Sequence, residues 1–333
     1  MARRGALVRR LADGAFHSGE TLARELGVTR AAVAKQVRAL EAWGLRVESV
    51  PRRGHRLLQP LDLLDAAALV DALAPATRER LRRLEVHDEI ESTNSRLLAE
   101  TELPAGRFDA CLAEFQSAGR GRRGRGWLAP FGAGLCLSFG WTFRESGAAL
   151  ASLGLAVGVA VLRALQGLGV EGVRLKWPND LLLDGRKLGG ILCELRAEAS
   201  GPAYVVIGVG LNVRPSPEIA RDVIARGGLA PASLGERTSS ASASVPERTR
   251  LAARLLDELV AMALEFERAG LAPFRVEWSA ADALADRPVT VLGHAGERHG
   301  IARGIDASGE LRVEIDGRLV TVTAGDVSLR AAP

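Results

Sequence analysis

The sequence predicts a multidomain α+β protein with an N-terminal winged helix-turn-helix, a central domain of alternating strands and helices, and a small C-terminal β-barrel. Three observations predict it. Apolar residues at helical spacing flank a Gly-Val turn within residues 19–38, apolar segments alternate with turns through residues 83–284, and short β runs close the chain from residue 285. With 333 residues and 47% apolar side chains the chain can bury more than one core, which excludes a disordered protein or a disulfide-stapled miniature.

Residues 1–60 form the first unit. Leu22, Ala23 and Leu26 share one helix face, Gly27-Val28 supply a tight turn, Thr29 is placed to cap a second helix, and Val33, Val37 and Leu40 form its buried face. That helix turns Arg30, Lys35, Gln36 and Arg38 outward, residue types that contact phosphates and base edges in a major groove. The run LRVESVPRRGHRLL alternates around Pro51 to Gly54 as a two-stranded wing with Arg52 and Arg53 at its tip. A plain solvated bundle needs no such combination of cap, turn, spacing and basic wing, so DNA is the expected partner.

Residues 61–82 read as a connecting helix broken at Pro75, and residues 83–284 as the central domain, patterned as in an α/β fold. Within it the Pro- and Gly-rich stretch 214–246 reads as a loop, followed by an amphipathic helix over 247–269. The barrel occupies residues 285–333, with PVTVL, ELRVEI and RLVTVT as its strands.

The net charge of +4 suits a polyanionic partner without requiring one. Of 44 basic residues 41 are Arg, so Lys35, Lys176 and Lys187 stand out as ammonium groups kept in an arginine-rich chain. Cys111, Cys136 and Cys193 lie in apolar runs and read as reduced core cysteines of a cytoplasmic protein. The five His residues form no i, i+4 ligand pair, and the uncharged stretch 146–162 is Gly-rich and suits a buried helix better than a membrane span.

Four short stretches of the central domain carry polar chemistry. In the loop from Gln116 through Gly119, Arg120, Gly121 and Arg122 to Trp127, glycines permit close backbone approach while guanidinium groups converge on phosphate oxygens. An RGG-type nucleic-acid tract has similar composition, but this loop is held between the apolar segments DACLAEF and GLCLSFGW. Trp127 suits stacking on a base or plain packing. In Lys176-Trp177-Pro178-Asn179-Asp180, the amide and carboxylate oxygens suit either a hard cation such as Mg2+ or a simple turn. Lys187 precedes the small residues Gly189 and Gly190 and an apolar strand ending at Glu194, an arrangement that can reach a phosphoryl or carboxyl group. Ser92, Thr93 and Asn94 suit a helix cap or a polar head group. No GxSxG, metal-spaced His cluster or GxxxxGK[ST] occurs, which favours charge stabilisation and positioning over acyl-enzyme chemistry.

FHSGE with the helix-turn-helix, ESTN, GRGRRGRGW, KWPND, KLGGIL and GVGLNV (208–213), in that order, resemble the bifunctional biotin protein ligases and biotin operon repressors over nearly the whole chain. The resemblance implies a central domain akin to class II aminoacyl-tRNA synthetases and to biotin and lipoate ligases, and an SH3-like barrel. It implies that biotin and Mg-ATP give biotinyl-5′-AMP, whose biotinyl group passes to a lysine of a biotin carboxyl carrier protein. It assigns Ser92, Thr93, Asn94, Gln116, Gly119, Arg120, Gly121, Arg122, Trp127, Lys187, Gly190 and Asn212 to biotin or its adenylate, with Lys187 and Arg120 catalytic. Lys176, Asn179, Asp180 and Arg330 fall to the nucleotide and metal side, Asp180 as the Mg2+ ligand. Thr29, Arg30, Lys35, Gln36, Arg38, Arg52 and Arg53 fall to operator DNA, bound by a homodimer that forms with the adenylate. The loop 221–234 lacks the aromatic that some repressors place over the adenylate, so ligase activity is the firmer implication and repression the weaker. A lipoate or octanoate ligase, or a transcription factor that only senses biotin, are the rival readings.

Overall fold

In the computed structural model, residues 2–100, 103–144, 150–197, 202–225, 230–239, 245–293, 296–323 and 328–331 are described. Helices α1 (Ala2–Leu11), α2 (Gly19–Glu25) and α3 (Arg30–Ala39) bury Leu7, Leu11, Leu22, Val33 and Val37 in one core, which Phe131 of the central domain joins. Each partner of the helix-turn-helix is capped locally: Thr21 N donates to Ser18 Oγ at 3.0 Å, and Ala32 N to Thr29 Oγ1 at 3.1 Å. Gly27, at φ +60°, makes the turn between them. The wing is the antiparallel pair β1 (Val47–Val50) and β2 (Gly54–Leu57), with Val47 opposite Leu57 and Arg52 and Arg53 in its exposed tip.

The segment 61–82 is not one helix. It forms α4 (Ala66–Ala72) and α5 (Pro75–Arg80), with Pro75 opening the second where its missing N–H costs nothing, and Leu81 and Arg82 already belong to the central sheet.

The central domain consists of β3 (Leu81–Ile90), α6 (Thr93–Leu98), β4 (Phe108–Gln116), β5 (Gly134–Phe143), α7 (Leu153–Gln166), β6 (Val173–Lys176), β7 (Asp180–Leu183), β8 (Arg186–Ala197), β9 (Ala203–Asn212), α8 (Pro217–Ala225), α9 (Arg248–Ala269) and α10 (Arg275–Ala281). Its seven strands run in the order β3-β4-β5-β9-β8-β7-β6, and β3 with β4 is the one parallel pair. The α/β pattern is therefore corrected to a mainly antiparallel sheet, because short turns such as Asp184-Gly185 join neighbouring strands where a parallel pair needs a crossover helix. Helices α7 and α9 pack on each other and on this sheet. Most residues of α7 are buried, which explains the absence of charge before Arg163, and among the described residues no helix is long and apolar enough to cross a membrane. The stretch 214–246 also departs from a plain loop, since Pro217 starts α8.

Five strands, β10 (Pro288–Gly293), β11 (Gly296–Ile305), β12 (Leu311–Ile315), β13 (Arg318–Val322) and β14 (Ser328–Ala331), form the antiparallel C-terminal sheet. It docks where Trp177 Nε1 donates to the Gly309 carbonyl at 3.1 Å. The N-terminal unit docks through Trp43, whose ring stacks on Phe131 at 4.6 Å and lies 6.2 Å from Phe115. A second anchor lies in the linker. Glu114 accepts from Leu64 N at 2.6 Å and pairs with Arg248 at 2.6 Å, and Arg248 also donates to the Asp62 and Gly134 carbonyls. Of the cysteines, Cys111 and Cys136 are buried as expected, whereas Cys193 is exposed.

Candidate active site

One cavity of about 410 Å³ opens on the sheet, between the start of α6, the end of β4, the arginine loop, β8, β9 and α8. Ser92, Thr93, Asn94, Gln116, Arg120, Gly121, Arg122, Trp127, Asn179, Asp180, Lys187, Gly190 and Asn212 all line it. Residues from segments as much as 120 positions apart thus share one space.

Its polar end is built on α6. Ser92 caps that helix through Ser95 N at 3.4 Å, so this serine is both a cap and a wall of the cavity. Gln116 Oε1 accepts from Thr93 N at 2.8 Å and from Thr93 Oγ1 at 3.1 Å. Ser138, fully buried on β5, donates to Asn94 Oδ1, and its hydroxyl oxygen lies 2.7 Å from Thr93 Oγ1. The Asn94 amide in turn donates to Glu194 Oε2 at 2.9 Å and to the Leu192 carbonyl at 3.3 Å. Gly208 makes this approach possible, because a Cβ there would stand 2.3 Å from Asn94 Oδ1. Gly210 does the same for Trp127, whose ring would lie 2.6 Å from an added Cβ. Trp127 therefore packs flat on the sheet at the cavity wall.

Cations gather at the other end. Lys187 Nζ bonds Asp180 Oδ1 at 2.6 Å, and Arg122 Nη1 reaches Asn179 Oδ1 at 3.5 Å. Burial, and next the charge of Arg123, pulls the Arg122 guanidinium below its ordinary range. Arg120 stands instead beside α6, where it pairs with Glu194 and donates to Ser95 Oγ at 3.0 Å. Lys187 is held by its backbone as well: its N–H donates to the Ala230 carbonyl at 2.9 Å, its carbonyl accepts from Ala232 N at 2.8 Å, and Asn212 Nδ2 bonds that same carbonyl at 3.2 Å. Ile219 and Val223 of α8 cover the space with aliphatic side chains. Cys136 lines the floor with its thiol pushed up to about 11 by burial, which makes it a packing group rather than a nucleophile.

Not every expected residue is there. Gly119 and Lys176 lie outside the lining; an added Cβ at Gly119 would stand 2.4 Å from the Trp127 carbonyl, so this glycine shapes the loop from behind. Arg330 is placed by its backbone opposite Thr290, and its side chain lies outside the described residues. On the winged helix, Thr29, Arg30, Lys35 and Arg38 are exposed, and Arg53 sits over the Phe16 ring at 4.1 Å. Gln36 is half-buried, with a buried Oε1 that lacks a hydrogen-bond partner, because its position borders the Val33–Val37 face. Ser138, Arg125, Gly208 and Gly210 were not singled out from sequence; the lone Ser in GLCLSFGW and the two glycines of GVGLNV were the available signals.

Spacing alone also missed Glu85, His87 and Cys111, whose ligand-type atoms lie within 4.8 Å of one another. Arg96 engages both oxygens of Glu85, and burial pushes the Cys111 thiol up to about 12, so this cluster belongs to an ion-pair network.

A cavity with hydroxyl and amide groups at one end and a lysine and arginines at the other, on a sheet flanked by a winged helix, defines a carboxylate-activating ligase body joined to a DNA-binding unit. The comparisons agree. Residues 87–212 match the Biotin/lipoate A/B protein ligase family, residues 3–56 an HTH domain, and residues 285–330 the Biotin protein ligase C terminal domain. The bifunctional ligase/repressor BirA of Salmonella typhimurium is 41% identical over 98% of this chain and 97% of its own, and that of Escherichia coli 40% over the same shares. Among solved structures, the biotin protein ligase of Aquifex aeolicus in complex with biotin and ATP covers 76% of this chain and 100% of its own, at 26% identity and a TM-score of 0.60. The chain belongs to the family of bifunctional biotin ligase/repressors, enzymes that carry their own helix-turn-helix.

Proposed function

We propose that the cavity binds biotin and ATP, joins the biotin carboxylate to the α-phosphorus with release of pyrophosphate, and passes the biotinyl group to a lysine of a biotin carboxyl carrier protein. The observation that carries this reading is that Lys187 and Arg122 line the same cavity as the hydrogen-bonded cluster of Thr93, Asn94 and Gln116. The polar cluster suits the ureido head of biotin, which both donates and accepts hydrogen bonds. The apolar floor takes the valeryl chain, and its carboxylate then lies toward the cations. Lys187 offsets the charge shared by carboxylate and α-phosphate as the C–O–P bond forms and the bond to pyrophosphate breaks. In the second step the carrier amine attacks the acyl carbon and AMP leaves. Asp180, with one oxygen taken by Lys187, and the Asn179 amide form a sparse oxygen set that fits an ion keeping its waters and phosphate ligands. They would hold Mg2+, which when bound neutralises phosphate charge. Lys176 and Arg330 are assigned to the nucleotide side on the resemblance.

The exposed Thr29, Arg30, Lys35 and Arg38 of α3 enter the major groove of an operator controlling biotin synthesis, while Arg52 and Arg53 of the wing meet phosphates. Adenylate binding favours the homodimer that presents two such helices, and the free thiols are consistent with a cytoplasmic enzyme. The test is pyrophosphate release from Mg-ATP with biotin or lipoate as the added carboxylate, with mass detection of the adenylate. Biotinyl-5′-AMP from the intact protein, and at least a hundredfold loss in Lys187→Ala, is the expected result. Turnover with lipoate alone, or with neither acid, overturns it.

A further inference from the structure

We infer that Glu194 is a positioning residue of the site, one carboxylate that fastens the arginine loop to the first turn of α6 through Arg120 and Asn94 together. The inference deepens the ligase reading and, for its adenylate arm, rests on it. One oxygen of Glu194 accepts from the Asn94 amide at 2.9 Å and the other from Arg120. Asn94 is thereby oriented: with Nδ2 committed to Glu194 and to the Leu192 carbonyl, its Oδ1 faces the Ser138 hydroxyl, and the asparagine cannot turn over without losing both bonds to those acceptors.

Arg120 carries the other half. Its second guanidinium nitrogen donates to Ser95 Oγ at 3.0 Å, so the loop is tied to α6 as well as to β8. The backbone of Arg120 bridges that of Gly126, and Gly121 N donates to the Arg125 carbonyl at 2.7 Å, which closes residues 120–126 into a small ring. Fixing Arg120 therefore fixes the ring that carries Arg122 into the cavity. The ring opposes its own closure, because Arg120, Arg122, Arg123 and Arg125 lie within six positions and like charges repel. A carboxylate at Arg120 counters that repulsion without entering the space a phosphate would fill. The Arg120 side chain is 44% exposed, so the pair adds little to folding and its effect falls on the placement of the loop.

Glu194→Gln separates the two duties, since glutamine still offers Asn94 an acceptor oxygen but presents an uncharged amide to Arg120. The ligand-free protein is treated with trypsin, and cleavage after Arg122, Arg123 and Arg125, the sites every variant keeps, is scored by mass spectrometry against cleavage elsewhere. Glu194→Gln and Arg120→Gln each raise that cleavage about fivefold to tenfold, and the double variant goes no further. Release of biotinyl-5′-AMP quickens by a similar factor, again without multiplying in the double variant. Wild-type cleavage and release rates in Glu194→Gln, or effects that multiply, overturn the inference. If the unmodified protein makes no adenylate, the ligase reading fails while the proteolysis arm still decides the role of Glu194. If Glu194→Gln does not fold, Arg120→Gln probes the same contact from its exposed side, and wild-type loop cleavage there is equally fatal.

Discussion

Replacing Arg248 by Met tests whether the buried ion pair holds the linker to the central domain. Arg248 and Glu114 both have side-chain exposures of 0%, and the guanidinium joins Glu114, the Asp62 carbonyl and the Gly134 carbonyl. Methionine fills much of the same volume without charge. It leaves the Glu114 carboxylate buried with Leu64 N at 2.6 Å as its remaining hydrogen bond shown here, together with two carbonyls stripped of a donor. Breaking such a pair from one side costs roughly 3–5 kcal/mol. For a unit of this size that is roughly 6–20 °C of melting temperature. Calorimetry is the assay, because the central domain holds the larger core and the main transition is the one that should move. Glu114→Gln combined with Arg248→Met should recover more than half of the loss, since no lone charge then stays buried. A shift below 2 °C in the single variant, or a double variant worse than the single, would refute the reasoning.

Two further outcomes are expected. Gly208→Ala places a methyl group 2.3 Å from Asn94 Oδ1, so the KM for biotin should rise about tenfold with a small change in melting temperature, measured by pyrophosphate release across biotin concentrations. Asp282 is nearly fully buried, its Oδ2 lacks a hydrogen-bond partner, and burial holds its carboxyl above the usual range. The folded state therefore binds this proton more tightly than the unfolded state, so the charge costs stability in full above the raised folded pKa, and the cost fades as pH falls through that value and is gone below the unfolded one. Asp282→Asn keeps Oδ1 as the acceptor for Leu284 N and should melt a few degrees higher at pH 7, with the gain vanishing near pH 3; a gain that is independent of pH contradicts this.

What could be read from sequence was local. Thr29 as a cap, Gly27 as a turn and α9 as an amphipathic helix follow from neighbours within a few positions, and the structure has all three. Strand partners are not local: a two-residue period says which face is buried but not whether the neighbour runs parallel, so the antiparallel sheet was hidden behind an alternating pattern. Arg248 shows the same limit, since it reads as a first-turn surface residue until Glu114, 134 positions away, is placed against it. The prolines and glycines between 214 and 231 masked α8, because Pro217 marks a helix start as readily as a turn. Most of the cavity was legible because its motifs are short and ordered along the chain. Ser138 was not, as one hydroxyl in an apolar strand acquires meaning only when Thr93 and Asn94 arrive beside it.

The docking of Trp43 on Phe131, with the linker pinned at Leu64, bears on how α3 would search for its groove. A DNA-binding unit on a slack tether tumbles alone and samples orientations quickly, then loses that freedom on binding. Here the unit is fastened at two points, so the whole 35.3 kDa body must rotate to bring α3 to the duplex. Encounter is slower to find the right orientation, but little orienting entropy remains to be lost once it does.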